Sequence, residues 1–209
     1  MEKHLALFKD NRVIPVVSVN HESEILPVME SLLEGGLNSM EIVLRTDAAL
    51  KAIKQASPSR DFLVGAGTVL SVDQAEAVID AGARFVVTPG FNPDVVRKCL
   101  DRKVPVIPGV ATPTDINRAL DFGVKVLKFF PAEAFGGVKA IKAISAPFPM
   151  IDFIPTGGIS LKNLADYLSF KKIIACGGTW MVKPEWIKAR EFGRIVEVAR
   201  ETVELVKHL

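Results

Sequence analysis

A chain of 209 residues, 49% of them hydrophobic, is long enough for one sizeable core and too short for two comfortable domains, so a single domain over residues 1–209 is expected. Its formal charge of +2 argues against nucleic acid or a membrane surface as partner. The apolar stretches are strand-length, and the first ten residues contain neither a signal-type apolar region nor a cleavage site, so no membrane span and a cytoplasmic protein are expected.

In chain order, Met1–Arg12 is expected to form a helix that covers the bottom of the fold. Eight short apolar runs follow: Val13–Val17, Ser39–Leu44, Phe62–Ala66, Phe85–Thr88, Val104–Ile107, Val126–Phe130, Phe153–Thr156 and Ile173–Cys176. Most precede a stretch of helical periodicity. Ser71 opens one such stretch, which ends before Ala81-Gly82-Ala83; Thr114–Phe122 forms another and stops at Gly123. Glycines at Gly35-Gly36, Gly82 and Gly123 fall where helix C-caps require them. The strands recur every ~20 to 25 residues, the length of one βα unit. Eight units in one short chain predict a compact (β/α)8 barrel. The alternative is an open doubly wound sheet, but the first strand runs into Ser18-Val19-Asn20-His21, which lacks the glycine-rich fingerprint of that fold.

Two cysteines, Cys99 and Cys176, lie in apolar patterns without metal-ligand spacing and read as buried small hydrophobes. Of the three histidines, His4 and His208 sit near the termini. This pattern predicts no metal site, no cofactor and no histidine base.

The chemistry is expected where strands end and βα loops begin. Lys128 interrupts the apolar run Val124–Pro131, where alternation places Val124, Val126, Lys128 and Phe130 on one face and Lys125, Leu127 and Phe129 on the other. Holding a charge among such side chains is costly, which favours a neutral, nucleophilic amine. The plainer alternative is a lysine that snorkels to water. In Ser39–Arg45, alternation sets Glu41, Val43 and Arg45 inward, as a functional pair or as a structural ion pair. Gly65-Ala66-Gly67-Thr68 offers close backbone approach and a hydroxyl at a strand end, or simply a turn and a cap. Thr88-Pro89-Gly90-Phe91 shapes a pocket wall, with Phe130 beside it. Thr112 or Thr114 caps the next helix or meets a ligand, the two explaining it equally well. Thr156-Gly157-Gly158 and Gly177-Gly178-Thr179 end the seventh and eighth strands, the usual phosphate site of this architecture. Trp180 reads as packing. A lysine nucleophile without a metal implies an imine with a carbonyl compound. With a carboxylate, an arginine for a carboxylate and a phosphate nest, the set predicts an aldolase acting on a phosphorylated 2-keto acid.

These motifs resemble the family of 2-keto-3-deoxy-6-phosphogluconate (KDPG) and 4-hydroxy-2-oxoglutarate (KHG) aldolases. The likeness extends from Val13 to about Lys183 and is most specific over Gly123–Gly137, which includes Lys128-Phe129-Phe130-Pro131-Ala132. The resemblance implies that Lys128 forms the Schiff base and that Glu41 moves protons. It implies that Arg45 and Thr68 hold the pyruvate end, and that Thr156, Gly157, Gly158, Gly177, Gly178 and Thr179 bind phosphate. It also implies a homotrimer and a place in the Entner-Doudoroff pathway. Val43, Thr88 and Thr179 stand where the family often has threonine, serine and serine, which leaves the preference between KDPG, its galactonate epimer and KHG open. A metal-dependent aldolase and a phosphorylated-metabolite sensor remain as rivals, distinguished by sensitivity to chelator and by binding without turnover.

Overall fold

The computed structural model describes residue 8 and residues 12–209. Among the described residues nine strands form: β1 (Val13–Val17), β2 (Ser39–Val43), β3 (Leu63–Gly67), β4 (Val86–Val87), β5 (Val106–Ile107), β6 (Gly109–Val110), β7 (Val126–Phe129), β8 (Asp152–Pro155) and β9 (Cys176–Gly178). Between and after them lie α1 (Ile25–Glu34), α2 (Ala49–Ala56), α3 (Val72–Asp80), α4 (Pro93–Asp101), α5 (Pro113–Asp121), α6 (Gly137–Ser145), α7 (Leu164–Leu168), α8 (Pro184–Lys188) and α9 (Phe192–Lys207).

Every strand pairing is parallel, in the orders β5-β4-β3-β2-β1-β9 and β6-β7-β8. β5 and β6 are one stretch of chain divided at Pro108, which has no N–H to give the ladder. The Pro108 carbonyl still accepts from the Lys128 N–H at 2.9 Å. Single parallel bridges, Phe153↔Ile173 and Thr156↔Gly177, join β8 to the β9 segment, and β9 returns to β1. The result is an α/β fold with a curled parallel sheet.

Residue parity decides which core each side chain enters. Ile14, Leu63, Phe85, Val87, Ile107, Val126, Ile154 and Ile174 form an inner cluster with Phe8. Met40, Ile42, Val64, Ala66, Val86, Leu127, Phe129 and Phe153, one residue out of step with that inner set, form the outer cluster that packs on the helices. Phe8 meets Phe85 edge to face at 5.0 Å, which closes the lower end of the inner cluster. Phe8 is helical and its carbonyl accepts from Arg12 N–H; the remainder of the helix expected over Met1–Arg12 lies outside the described residues.

Local chemistry fixes the helix ends. Ser71 Oγ accepts from Gln74 N–H at the start of α3, as its position predicts. Thr112, not Thr114, caps α5: its hydroxyl accepts from Asp115 N–H while the Asp115 carboxylate accepts from Thr112 N–H, a reciprocal box that places Pro113 at the first helical position. Gly36, Gly82 and Gly123 take left-handed φ values just past α1, α3 and α5, as their positions predict.

Two expectations shift. The last apolar run, Ile173–Cys176, becomes a strand over Cys176–Gly178, because the ladder to β1 starts at Cys176 and Ile173 holds only one bridge to Phe153. Val124 does not share the Lys128 face. Its N–H bonds to the Ala119 carbonyl in the turn after α5, so strand alternation starts later and Val124 joins the outer cluster.

Candidate active site

Lys128 and Glu41 meet inside the curled sheet. Lys128 enters from β7 and Glu41 from β2; Nζ lies 3.3 Å from Oε1, and the two residues are 6% and 2% exposed. Each sits on the inward parity of its strand, as alternation predicts. Glu41 stands opposite Val16 and Gly65, and Lys128 stands between Gly109 and Ile154. Buried charges survive when they are paired and hydrogen-bonded. Here burial disfavours a lone charge on either group, and the partner compensates. The contact also places a carboxylate where it can take the proton that an ammonium must lose before it attacks a carbonyl. The Phe130 ring centroid lies 5.2 Å from Nζ and walls the amine on one side.

Gly67 shapes this pair in a way the sequence did not reveal. A Cβ there would overlap the Glu41 carboxylate, and a Cβ at Gly65 would overlap the Phe85 ring. The two inward glycines of β3 therefore make room for the carboxylate above and the aromatic plug below. The motif Gly65-Ala66-Gly67 was legible as close approach, but what approaches it was not.

Arg45 does not form the structural ion pair with Glu41 that was the plainer alternative. β2 ends at Val43, and Arg45 N–H folds back onto the Val43 carbonyl at 2.8 Å. The Arg45 side chain is exposed, and among the described residues the carboxylate that pairs with a cation inside the sheet is Glu41 with Lys128. The structural ion pair Glu41–Arg45 is thus absent. Arg45 keeps a guanidinium at the strand end, open to an incoming anion.

Thr68 directly follows β3 with φ +58°, a left-handed conformation that a β-branched residue rarely adopts. The α3 cap is Ser71, so capping does not explain Thr68. Strain of this kind concentrates where a side chain is aimed at a ligand. Thr88 is buried, donates to the Gly90 carbonyl at 2.6 Å and accepts from Gly109 N–H. That bond ties the Thr88-Pro89-Gly90 turn to β6, and Pro89 stands partly exposed at the rim.

The two glycine pairs come together. Thr156 and Gly177 form a parallel bridge, and a Cβ on Gly177 would overlap Thr156 Oγ1. Gly157 and Gly158 take φ +105° and +78°, conformations in which successive N–H groups can converge on an anion. Gly178 lies flat on the Trp180 ring, whose Nε1 donates to Thr202 Oγ1 of α9 at 3.1 Å. Trp180 is therefore packing, as expected, and Thr179 is left exposed beside it. Both cysteines are buried and free; burial pushes the Cys99 thiol up to about 11 and Cys176 higher still. Among the described residues no helix is long and apolar enough to cross a membrane.

The chain and its architecture have counterparts among known proteins. A family model described as KDPG and KHG aldolase matches residues 5–198. The chain is 46% identical to the 2-dehydro-3-deoxy-phosphogluconate aldolase of Treponema pallidum over 93% of each chain. It is 41% identical to the KHG/KDPG aldolase of Escherichia coli K12 over 93% of this chain and 92% of the relative. Among solved structures, the KDPG aldolase of Legionella pneumophila, with pyruvate captured at low pH as a covalent carbinolamine intermediate, superposes with a TM-score of 0.91. That match is 38% identical and covers 95% and 97% of the two chains.

Proposed function

The chain belongs to the KDPG and KHG aldolase family, and from that membership we propose a class I, Schiff-base aldolase that reversibly cleaves 2-keto-3-deoxy-6-phosphogluconate to pyruvate and glyceraldehyde 3-phosphate. The same site would split 4-hydroxy-2-oxoglutarate into pyruvate and glyoxylate, in keeping with the relatives that carry both names. The observation that carries this reading is the buried Lys128–Glu41 contact inside the curled sheet.

Glu41 takes a proton from the Lys128 ammonium, and the neutral amine attacks C2 of the keto acid. Glu41 returns that proton to the C2 oxygen, which leaves as water and gives a protonated imine, with Glu41 again a carboxylate. Glu41, through a water, then accepts the C4 hydroxyl proton; the C3–C4 bond breaks, and its electron pair moves into the imine to give an enamine. The aldehyde leaves. Protonation at C3 and hydrolysis of the imine release pyruvate and restore the lysine. Arg45 holds the keto-acid carboxylate in a two-pronged contact, and Thr68 supports the same end. Phe130 and Pro89 wall the pocket. Thr156, Gly157, Gly158, Gly177, Gly178 and Thr179 take the phosphate.

The finer architecture belongs to the same reading. The parallel ladder and its bridges support a (β/α)8 barrel forming one domain over residues 1–209, with Phe8 packed at its lower end. A cytoplasmic homotrimer serving the Entner-Doudoroff pathway completes the proposal.

Incubation with pyruvate and borohydride, followed by peptide mapping, tests the mechanism. A reduced pyruvyl adduct on Lys128, together with release of pyruvate from the phosphorylated keto acid, is expected. A folded protein that forms no adduct would overturn it.

A further inference from the structure

Between the lysine strand and the Gly157–Gly158 turn lies a second, partly buried polar contact, which the mechanism does not use. The Tyr167 phenol donates to the Glu133 carboxylate. Tyr167 is on α7 and is 1% exposed; Glu133 opens the short turn Glu133–Phe135 that follows β7. Glu133 is also built into the Gly157–Gly158 turn. Its N–H donates to the Gly157 carbonyl at 3.0 Å, one residue after Ala132 N–H donates to the Thr156 carbonyl at 2.9 Å. A Cβ on Gly158 would overlap the Glu133 side-chain stem. On its other side the turn is held by Asn163, whose Nδ2 donates to the Gly158 carbonyl at 3.2 Å.

A carboxylate so close to this turn is a liability if the turn receives a phosphate, since like charges repel and both need the same N–H donors. The structure shows where the charge goes. The Glu133 carboxylate lies against Gly137 and Tyr167, in a groove between α6 and α7 also lined by Lys142 and Asn163. Burial and the neighbouring Glu133 both raise the Tyr167 phenol well above its ordinary range, so it remains a donor at every physiological pH.

We infer that Tyr167 is a positioning residue for phosphate recognition: its hydroxyl holds the Glu133 carboxylate against α6 and α7 and so keeps that negative charge out of the Gly157–Gly158 nest. The inference rests on the phosphate placement proposed above. Tyr167 touches no reacting atom, and its effect is on binding of the phosphorylated end. Glu133 as a residue is exposed, so its freed charge acts through a solvent-screened field and its effect fades as salt rises.

The test compares wild type, Tyr167→Phe, Glu133→Gln and the double variant on the phosphorylated keto acid and on its dephosphorylated analogue. At low ionic strength Tyr167→Phe raises KM for the phosphorylated substrate about tenfold with kcat little changed, and leaves the analogue unaffected. Glu133→Gln in the Tyr167→Phe background restores the lost affinity, because the neutral amide no longer repels phosphate. Equal losses on both substrates, or no rescue by Glu133→Gln, would overturn the inference in favour of simple loop packing. Titration of the same four proteins with inorganic phosphate by calorimetry reads the nest without chemistry. Weaker binding in Tyr167→Phe, restored in the double variant, supports the inference even if wild type cleaves neither compound, in which case the aldolase reading alone has failed. No phosphate binding by wild type, or equal binding by all four, overturns it.

Discussion

The backbone of Gly67 lies flat against the Glu41 carboxylate, with no room for a Cβ between them. β2 and β3 are paired so that Glu41 stands opposite Gly65 and Val43 opposite Gly67, which brings the long Glu41 side chain diagonally over residue 67. Gly67→Ala would therefore push the carboxylate off its 3.3 Å contact with Lys128. We expect kcat to fall tenfold or more and stability to drop by about 1–3 kcal/mol, the cost of overpacking a tight interior. Steady-state kinetics with a thermal melt check this. A lower melting point with unchanged kcat would show that the carboxylate tolerates displacement.

The Lys128–Glu41 pair should be strongly coupled in stability as well as in chemistry. Lys128→Met strands a buried carboxylate and Glu41→Gln strands a buried ammonium, each expected to cost about 3–5 kcal/mol. Combining them removes both charges, so the double variant should be more stable than the sum of the single losses allows. Urea unfolding of the four proteins gives the coupling directly. Strict additivity would mean that the two groups do not interact in the folded protein.

Thr68 stores strain. Its φ of +58° suits glycine and costs a β-branched residue about 1–3 kcal/mol. Thr68→Gly should raise the melting temperature while weakening capture of the keto acid, a trade of stability for function. Borohydride trapping across a range of pyruvate concentrations reads the second effect. If trapping were unchanged, the strain would have no part in substrate binding.

Cys99 gives a pH-dependent signature of core integrity. Its thiol is raised from 9.0 to about 11 by burial, so the folded state holds a proton that the unfolded chain releases between these values. The sign follows: the stabilisation is complete below pH 9 and is lost progressively as pH rises towards 11. Unfolding free energies measured over this range should fall more steeply in wild type than in Cys99→Ala. Identical slopes would remove Cys99 from the alkaline response.

Much of the fold can be read from short-range pattern. The alternation in Val126–Phe129 sorted Lys128 from Leu127 and Phe129 correctly, because the pleat sends successive side chains to opposite faces wherever the strand is formed. The same rule failed at Val124, which lies before the start of its strand, where the backbone still follows the turn after α5 and the parity does not yet apply. The choice of Thr112 over Thr114 as cap turned on Pro113, whose fixed φ and missing N–H suit the first helical position. The fifth run, expected to end at Ile107, is followed beyond Pro108 by a further short strand, β6, because proline lacks the N–H that would continue the ladder.

The sequence by itself determined the strand–helix rhythm, the inward parity of Glu41 and Lys128, the flexible Gly-Gly turns and the motif that ties the chain to its family. These properties depend on residues within a few positions of one another. Tertiary structure alone decided that Glu41 pairs with Lys128 rather than Arg45, that Gly67 makes room for that carboxylate, and that Tyr167 holds Glu133 beside the Gly157–Gly158 turn. Each of these depends on how far the sheet curls and on the register between strands. Curl and register are set by the packing of the whole core, which no local window of sequence contains.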